Sequence, residues 1–181
     1  MKDIPPDEQA LQNLIGSAVS WADGTVAGFV DFAEGDTPIE KLFYIALHAR
    51  AALGATDFST VWDVKTAEEE AKLMAEPYAT TSPVIILRPQ ARLEDGWRVD
   101  FLLHCYNVAP KRGPRGWRKL IVECDGHGFH ERTKEQAAKD RSSDRWATLN
   151  KYTILRFTGS ELHKDAWGCA GEAFAWAESH L

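Results

Sequence analysis

The chain has 181 residues, of which 44% are hydrophobic and 27% charged, a composition typical of one ordinary globular domain with its own core. No apolar stretch is long enough to cross a bilayer, and the acidic start of the chain lacks the apolar segment of a secretory signal. We therefore expect a cytoplasmic protein without a membrane partner. Cys105, Cys124 and Cys169 have no metal-type spacing, and the apolar strand contexts of Cys105 and Cys124 indicate buried reduced thiols.

Charge is distributed unevenly along the chain, whose formal net charge is −6. Residues 108–156 carry a net charge of +6, whereas the rest of the chain carries −12. A basic face on an acidic body favours a protein that approaches phosphate from one side. The alternative is a basic loop that is merely solvated.

The first half of the chain is predicted to be mainly helical. Residues 7–20 have a helical apolar pattern and belong to an N-terminal arm that we assign to residues 1–36. The capping box Thr37-Pro38-Ile39-Glu40 then begins a strong helix, which ends at Gly54. Residues 55–81 give little pattern apart from a helix over 66–76, where the run Glu68-Glu69-Glu70 is typical of a solvated face.

Strands dominate from residue 82 onward. In chain order, the predicted elements are strands at 84–87, 99–103 and 119–123, a capped helix over 133–149, a strand at 152–157 and a helix over 165–179. The first two strands flank a turn and form a hairpin, whereas the strand–helix–strand crossover is normally parallel. The sequence therefore predicts an α/β domain over residues 37–181, with a mixed four-stranded β-sheet flanked by α-helices.

Two carboxylates interrupt apolar strands, Asp100 in the second and Glu123 in the third. A carboxylate inside a run of Val, Ile, Leu and Phe is costly unless something positive shares it. Two of them at the ends of neighbouring strands are typical of a divalent-metal site, and such a site favours phosphodiester hydrolysis. The alternative is a pair of structural ion pairs.

The residues around this pair form a recognisable sequence pattern. It comprises Asp100-Phe101, the run Ile121-Val122-Glu123-Cys124-Asp125-Gly126-His127-Gly128-Phe129-His130, the helix residues Gln136, Asp140 and Asp144, and the strand Ile154-Leu155-Arg156-Phe157. It resembles the PD-(D/E)xK nuclease superfamily, and within it the very-short-patch-repair-like branch of small restriction-type endonuclease domains. The resemblance implies a restriction-endonuclease-like core and Mg²⁺-dependent hydrolysis of DNA, with Mn²⁺ able to substitute.

The same resemblance implies a set of metal ligands. Asp100 and Glu123 would bind the metal, and the backbone carbonyl of Cys124 would be a third ligand. Glu40 matches a helix carboxylate that often joins the metal shell. Its alternative role needs no metal, because a capping box already calls for a glutamate at this position.

The positive group of the mechanism is harder to assign. Relatives commonly carry a lysine two residues after the glutamate, and here that position is Asp125. Asp125 is either a site residue or a turn residue before Gly126. Lys139, on the following helix, is our candidate for the displaced lysine. His130 is a candidate acid or base, and its alternative is a loop histidine.

A zinc site is the rival metal hypothesis. Cys124, His127 and His130 carry zinc-type donors, and Cys105 would have to supply a fourth. Their spacing fits no standard zinc pattern, so we favour the oxygen-rich Mg²⁺ site.

A basic segment precedes and follows the third strand. The candidate nucleic-acid-binding residues are Lys111, Arg112, Arg115, Trp117, Arg118 and Lys134. Lysine and arginine here would hold a phosphate backbone while Trp117 stacks on a base. The alternative is a solvated connection with Trp117 folded onto the core.

The sequence thus predicts a metal-dependent DNA endonuclease that acts in repair, restriction or phage defence. Two alternatives stay open: a non-catalytic nucleic-acid-binding module on the same fold, and an acidic structural or interaction protein. DNA is the predicted partner. A homodimer, or a complex with a helicase or another defence-system protein, fits the resemblance equally well.

Overall fold

The computed structural model describes residues 36–54, 56, 58, 60–75, 83–107, 116–126 and 134–179. These belong to one compact unit spanning Glu34–Leu181. The helix predicted over residues 7–20, and with it nearly all of the N-terminal arm, lies outside the described residues. The domain division at residue 36 therefore stays a prediction.

Four helices and five strands make up the described part of the chain. In order they are α1 (Pro38–Ala52), β1 (Thr60–Asp63), α2 (Ala67–Ala75), β2 (Val84–Arg92), β3 (Arg98–Asn107), β4 (Gly116–Asp125), α3 (Lys134–Leu149), β5 (Tyr152–Thr158) and α4 (Gly159–Glu178).

The strands form a single mixed sheet in the order β1-β2-β3-β4-β5. β2, β3 and β4 are antiparallel to one another, whereas β1 pairs with β2 and β5 pairs with β4 in parallel. The α/β class and the mixed sheet are confirmed, but the predicted count of four strands is wrong. The missing strand is β1, whose four residues are too short to show an alternating pattern.

Helices cover both faces of the sheet. Phe43 of α1 packs on Phe101 of β3 and Phe157 of β5, with ring centroids 5.3 and 5.8 Å away, and α1 packs beside α4. Because side chains alternate along a strand, Leu102 and Ile121 point to the other face, where they pack with Ala147 of α3. The sheet is therefore the middle layer of three, as expected for a sheet with parallel crossovers.

The last helix begins earlier than its predicted start at residue 165. Thr158 is its N-cap and forms a complete capping box with Glu161. Asp165 has a non-helical backbone (φ −157°, ψ 70°), which breaks the regular helix at that residue. The apolar periodicity therefore detected only the part of α4 that follows the break.

The three cysteines are buried and none forms a disulfide, which confirms the interpretation from their spacing. Burial raises the pKa of the Cys105 and Cys124 thiols well above the usual range, so both stay protonated. None of the helices in the described ranges has the length and apolar character needed to cross a membrane.

Candidate functional site

The predicted carboxylate pair lies where β3 and β4 stop pairing. The paired positions run from Asn107 and Gly116 to Phe101 and Val122, so Asp100 and Glu123 are the next residues beyond the last pair. There the backbone N–H of Cys124 donates to Oδ2 of Asp100 at 2.7 Å instead of to a strand partner. The end of this ladder therefore brings the two carboxylates to one place in the sheet.

Both carboxyl groups are hard to ionise in this position. Burial raises the pKa of Asp100 to about 6, with a further contribution from Glu40, although the hydrogen bond from Cys124 opposes the shift. Burial, followed by the charge of Asp100, raises the pKa of Glu123 to about 8. The charge of Asp100 therefore adds to the cost of ionising Glu123, as expected for carboxylates that share a site.

Glu40 reaches this site from the N-terminus of α1. It is buried, and its Oε1 accepts a hydrogen bond from the Thr37 hydroxyl at 2.8 Å. The Thr37 hydroxyl in turn accepts from the Glu40 backbone N–H, so Thr37 caps the helix as predicted. Oε2 accepts from the backbone N–H of Asp36 at 2.7 Å. Glu40 therefore contributes to the helix cap and also adds negative charge beside Asp100 and Glu123.

Asp125 adds a fourth carboxylate. It is the last residue of β4, lies in register with Thr158 of β5, and its charge raises the pKa values of both Asp100 and Glu123. We use the term carboxylate site for Glu40, Asp100, Glu123 and Asp125.

Two arginines of the described residues act on these groups but also pair elsewhere. Arg98 and Arg156 lower the pKa values of Asp100 and Glu123, respectively. Arg98 also forms an ion pair with Asp36 at 2.8 Å, and Arg156 forms one with Asp144 at 2.5 Å. Arg156 therefore forms a salt bridge within the protein.

The donor chemistry of the carboxylate site suits a hard divalent cation. Its side-chain donors are carboxylate oxygens, which Mg²⁺ and Mn²⁺ prefer. Oε1 of Glu123 is buried and has no hydrogen-bond partner among the described residues. The zinc alternative cannot be compared with the structure, because His127 and His130 lie outside the described residues. Among the described residues, no three His, Cys, Asp or Glu side chains already form a cluster able to hold a metal.

Several predicted site residues cannot be compared with the structure. His130, Lys111, Arg112 and Arg115 lie outside the described residues. Lys134 and Lys139 lie in the first half of α3, and their predicted roles stay predictions, as does the use of the Cys124 carbonyl.

Trp117 and Arg118 lie in β4. The indole N–H of Trp117 donates to the Met74 carbonyl of α2 at 3.3 Å, and its ring lies 4.8 Å from that of Tyr106. Arg118 donates to the Trp117 carbonyl at 3.2 Å. These contacts are the ones expected from the alternative interpretation, in which Trp117 folds onto the core.

One polar residue of the site was missed from the sequence. Gln90 of β2 donates from Nε2 to Oε2 of Glu40 at 2.6 Å. The sequence offered one signal for Gln90. It is polar and directly follows Pro89, in a strand that begins with the apolar run Val84-Ile85-Ile86-Leu87.

A second group of buried charges was also missed. Glu70, predicted to lie on a solvated face of α2, is instead buried, whereas Glu68 and Glu69 are exposed as expected. It pairs with Nη1 of Arg88 at 2.8 Å, and its other oxygen contacts Nδ1 of His104. We call Glu70, Arg88 and His104 the ionic cluster. The reason for the error is that a three-residue acidic run does not reveal which of its members faces the sheet.

Comparisons with known proteins identify no family for this chain. No family model matches the chain, and no curated protein matches it. A solved structure, described as the crystal structure of HopZ1a in complex with IP6, is similar at a TM-score of 0.35 and 11% sequence identity. That match covers 85% of this chain and 50% of the other, so this chain spans about half the length of that protein.

Proposed function

We propose that the protein is a divalent-metal-dependent nuclease that hydrolyses DNA phosphodiester bonds. The observation that carries the proposal is the carboxylate site, where Asp100 and Glu123 are half-buried at the end of the β3–β4 ladder and the charge of Asp100 raises the pKa of Glu123. Among the described residues, Arg98 and Arg156 pair with other carboxylates, and a bound cation would neutralise the negative charge that remains in the site.

The order of elements supports a restriction-endonuclease-like core. A helix that carries Glu40 precedes three antiparallel strands, and a helical crossover then leads to a parallel strand. This is the arrangement that the resemblance implies for residues 37–181, with β1 added as an edge strand. Asp100 and Glu123 fall on the second and third of the antiparallel strands, as that core requires.

The donors available to Mg²⁺ are the carboxylates of Asp100, Glu123 and Glu40, and the carbonyl of Cys124. A divalent cation bound there supplies an acidified water and polarises the phosphate oxygens. The chain itself orients Asp100 through the N–H of Cys124 and holds Glu40 through Thr37. Asp125 supplies no positive charge at the position usual for lysine. Assistance with proton transfer therefore falls to His130 or Lys139 in our proposal.

DNA is the substrate that the charge distribution favours. The segment 108–156, which contains β4 and α3, carries a net charge of +6 on a chain whose total is −6. A phosphate backbone would be attracted to this segment and repelled by the rest of the chain.

The test is cleavage of plasmid and single-stranded DNA with Mg²⁺, with Mn²⁺ and with a chelator. We expect metal-dependent cleavage that falls at least 10³-fold in the Asp100→Asn, Glu123→Ala double variant, which is about 4 kcal/mol of activation free energy. Glu68→Gln, an exposed carboxylate on α2, is the matched control and should cleave like the wild type. Equal cleavage by the double variant would rule out this site as the catalytic centre.

A second candidate is a non-catalytic module that binds nucleic acid on the same fold. Asp125 favours it, because the position of the usual lysine carries a negative charge. This candidate predicts salt-dependent DNA binding without turnover in any divalent metal, and clean cleavage would exclude it.

A further inference from the structure

Gln90 has a backbone conformation that a glutamine rarely adopts. Its φ is 51°, in the left-handed region, although it lies within β2. The register pairs Pro89 with Phe101 and Ala91 with Val99, which leaves Gln90 across from Asp100 without a ladder pairing between them. A left-handed backbone is strained for a residue with a Cβ, so the surrounding structure must hold this conformation in place.

The side chain of Gln90 carries a second cost. Its Nε2 donates to Oε2 of Glu40 at 2.6 Å, whereas its Oε1 is buried and has no hydrogen-bond partner among the described residues. The carboxylate of Glu40 fixes this orientation, because turning the amide over would place its oxygen against a negative oxygen. A buried carbonyl oxygen without a partner destabilises the folded protein, because it has lost its hydrogen bonds to water.

These two costs coincide at the carboxylate site. Gln90 alone, among the described residues, combines a left-handed non-glycine backbone with a buried side-chain oxygen or nitrogen that lacks a partner. Lys151, the other non-glycine residue of the described part with positive φ (62°), is exposed in the turn between α3 and β5. Strain of this kind is often retained where it serves binding or catalysis.

We propose that Gln90 is a positioning residue of the metal centre, which fixes the carboxylate of Glu40 through its amide nitrogen. This inference rests on the proposed function, since it assumes that the carboxylate site binds a divalent cation. Fixing Glu40 keeps its negative charge beside Asp100 and Glu123, where the cation would be held.

The test separates a positioning role from a purely structural one by measuring Mn²⁺ affinity and metal-free stability in the same variants. Glycine adopts positive φ without strain, so Gln90→Gly should melt no lower than the wild type in chelator. Its Mn²⁺ affinity, measured from the paramagnetic resonance of free Mn²⁺, should fall at least tenfold, as is usual when a supporting residue of a metal site is removed.

Lys151→Gly is the matched control, because it relieves the same backbone strain away from the proposed centre. It should keep the wild-type Mn²⁺ affinity. If Gln90→Gly does not fold, Gln90→Asn replaces it, since asparagine tolerates left-handed backbone and its shorter side chain withdraws the amide.

The outcomes distinguish the two proposals. Wild-type Mn²⁺ affinity in a folded Gln90 variant would overturn the positioning role while leaving the nuclease proposal intact. Absence of Mn²⁺ binding by the wild type would overturn both. A tenfold loss in Gln90→Gly with unchanged affinity in Lys151→Gly is the result that we expect.

Discussion

Acidic side chains are buried or half-buried in two regions of the sheet, and the regions differ in how the negative charge is balanced. In the ionic cluster, a single carboxylate of Glu70 meets the guanidinium of Arg88 and the imidazole of His104. In the carboxylate site, the half-buried Asp100 and Glu123 lie near two further acids, while Arg98 and Arg156 pair with Asp36 and Asp144. Among the described residues, negative charge is therefore matched by cations in the first region and only partly matched in the second.

This difference suggests separate roles. The ionic cluster ties α2 to β2 and β3, and its charges balance within the protein. The carboxylate site costs stability as it stands, and such a cost is typical of a site that a ligand completes. If the comparison is correct, removing charge should destabilise the first region and stabilise the second.

The largest stability effect is expected in the ionic cluster. Arg88→Met removes the guanidinium and leaves Glu70 buried without it, so the free energy of unfolding should fall by about 3–5 kcal/mol. Chemical denaturation measures this loss. Arg98→Met is the control, because it breaks an ion pair whose two side chains are about half exposed and should cost below about 1 kcal/mol. Equal effects of the two substitutions would remove the distinction between buried and exposed pairs.

In the carboxylate site, removing a charge is expected to raise the free energy of unfolding rather than lower it. In chelator at pH 8, Glu123→Gln should raise the free energy of unfolding by about 1–3 kcal/mol, because it removes the charge whose burial raises the pKa to about 8. Asp100→Asn should give a smaller gain, because the hydrogen bond from Cys124 favours the ionised form. Denaturant titrations of both variants test this, and a loss of stability in Glu123→Gln would contradict it.

The pH dependence of metal-free stability follows from the same two groups. Their pKa values in the folded protein, about 6 and about 8, lie above the ordinary values of 3.8 and 4.5, so the folded state binds more protons between these limits. The contribution of both groups to the free energy of unfolding should therefore fall as pH rises from about 4 to 8.

Denaturant melts at several pH values in chelator measure that slope. Glu123→Gln should remove most of the decline between pH 6 and 8, whereas Asp100→Asn should act mainly below pH 6. A wild-type slope that neither variant changes would show that other groups set the pH dependence.

A smaller effect is expected at the helix that carries Glu40. Thr37→Ala removes the hydroxyl that accepts from the Glu40 backbone and donates to its carboxylate. We expect a loss of about 1 kcal/mol, as for other N-caps. Thr66→Ala tests a comparable cap, since the exposed Thr66, just before α2, accepts through its hydroxyl from the Glu69 backbone N–H. Only Thr37→Ala should also weaken Mn²⁺ binding.

The elements with strong local signals were predictable from the sequence. The cap at Thr37, the alternating strands and the crossover helix all follow from local residue types, and the structure confirms them. The short strand β1 has too few residues for periodicity to appear. Its place at the sheet edge depends on pairing with β2, which a local pattern does not encode.

The site was predictable only in part, for the same reason. Asp100 and Glu123 stood out because each interrupts an apolar strand. Gln90 and the burial of Glu70 did not, because their contacts with Glu40, Arg88 and His104 join residues that are 18–50 positions apart in the chain. Such contacts appear only when the fold places α1 and α2 against the sheet.

The most direct test of the central claim is a Mg²⁺ and Mn²⁺ titration by calorimetry, with thermal melting at the same metal concentrations. The account predicts saturable binding by the wild type and stabilisation of about 2.7 kcal/mol at a hundred times the dissociation constant. Both should be lost in the Asp100→Asn, Glu123→Gln double variant, which should nevertheless melt higher than the wild type in chelator. Metal binding that survives in the double variant, or its absence from the wild type, would contradict the account.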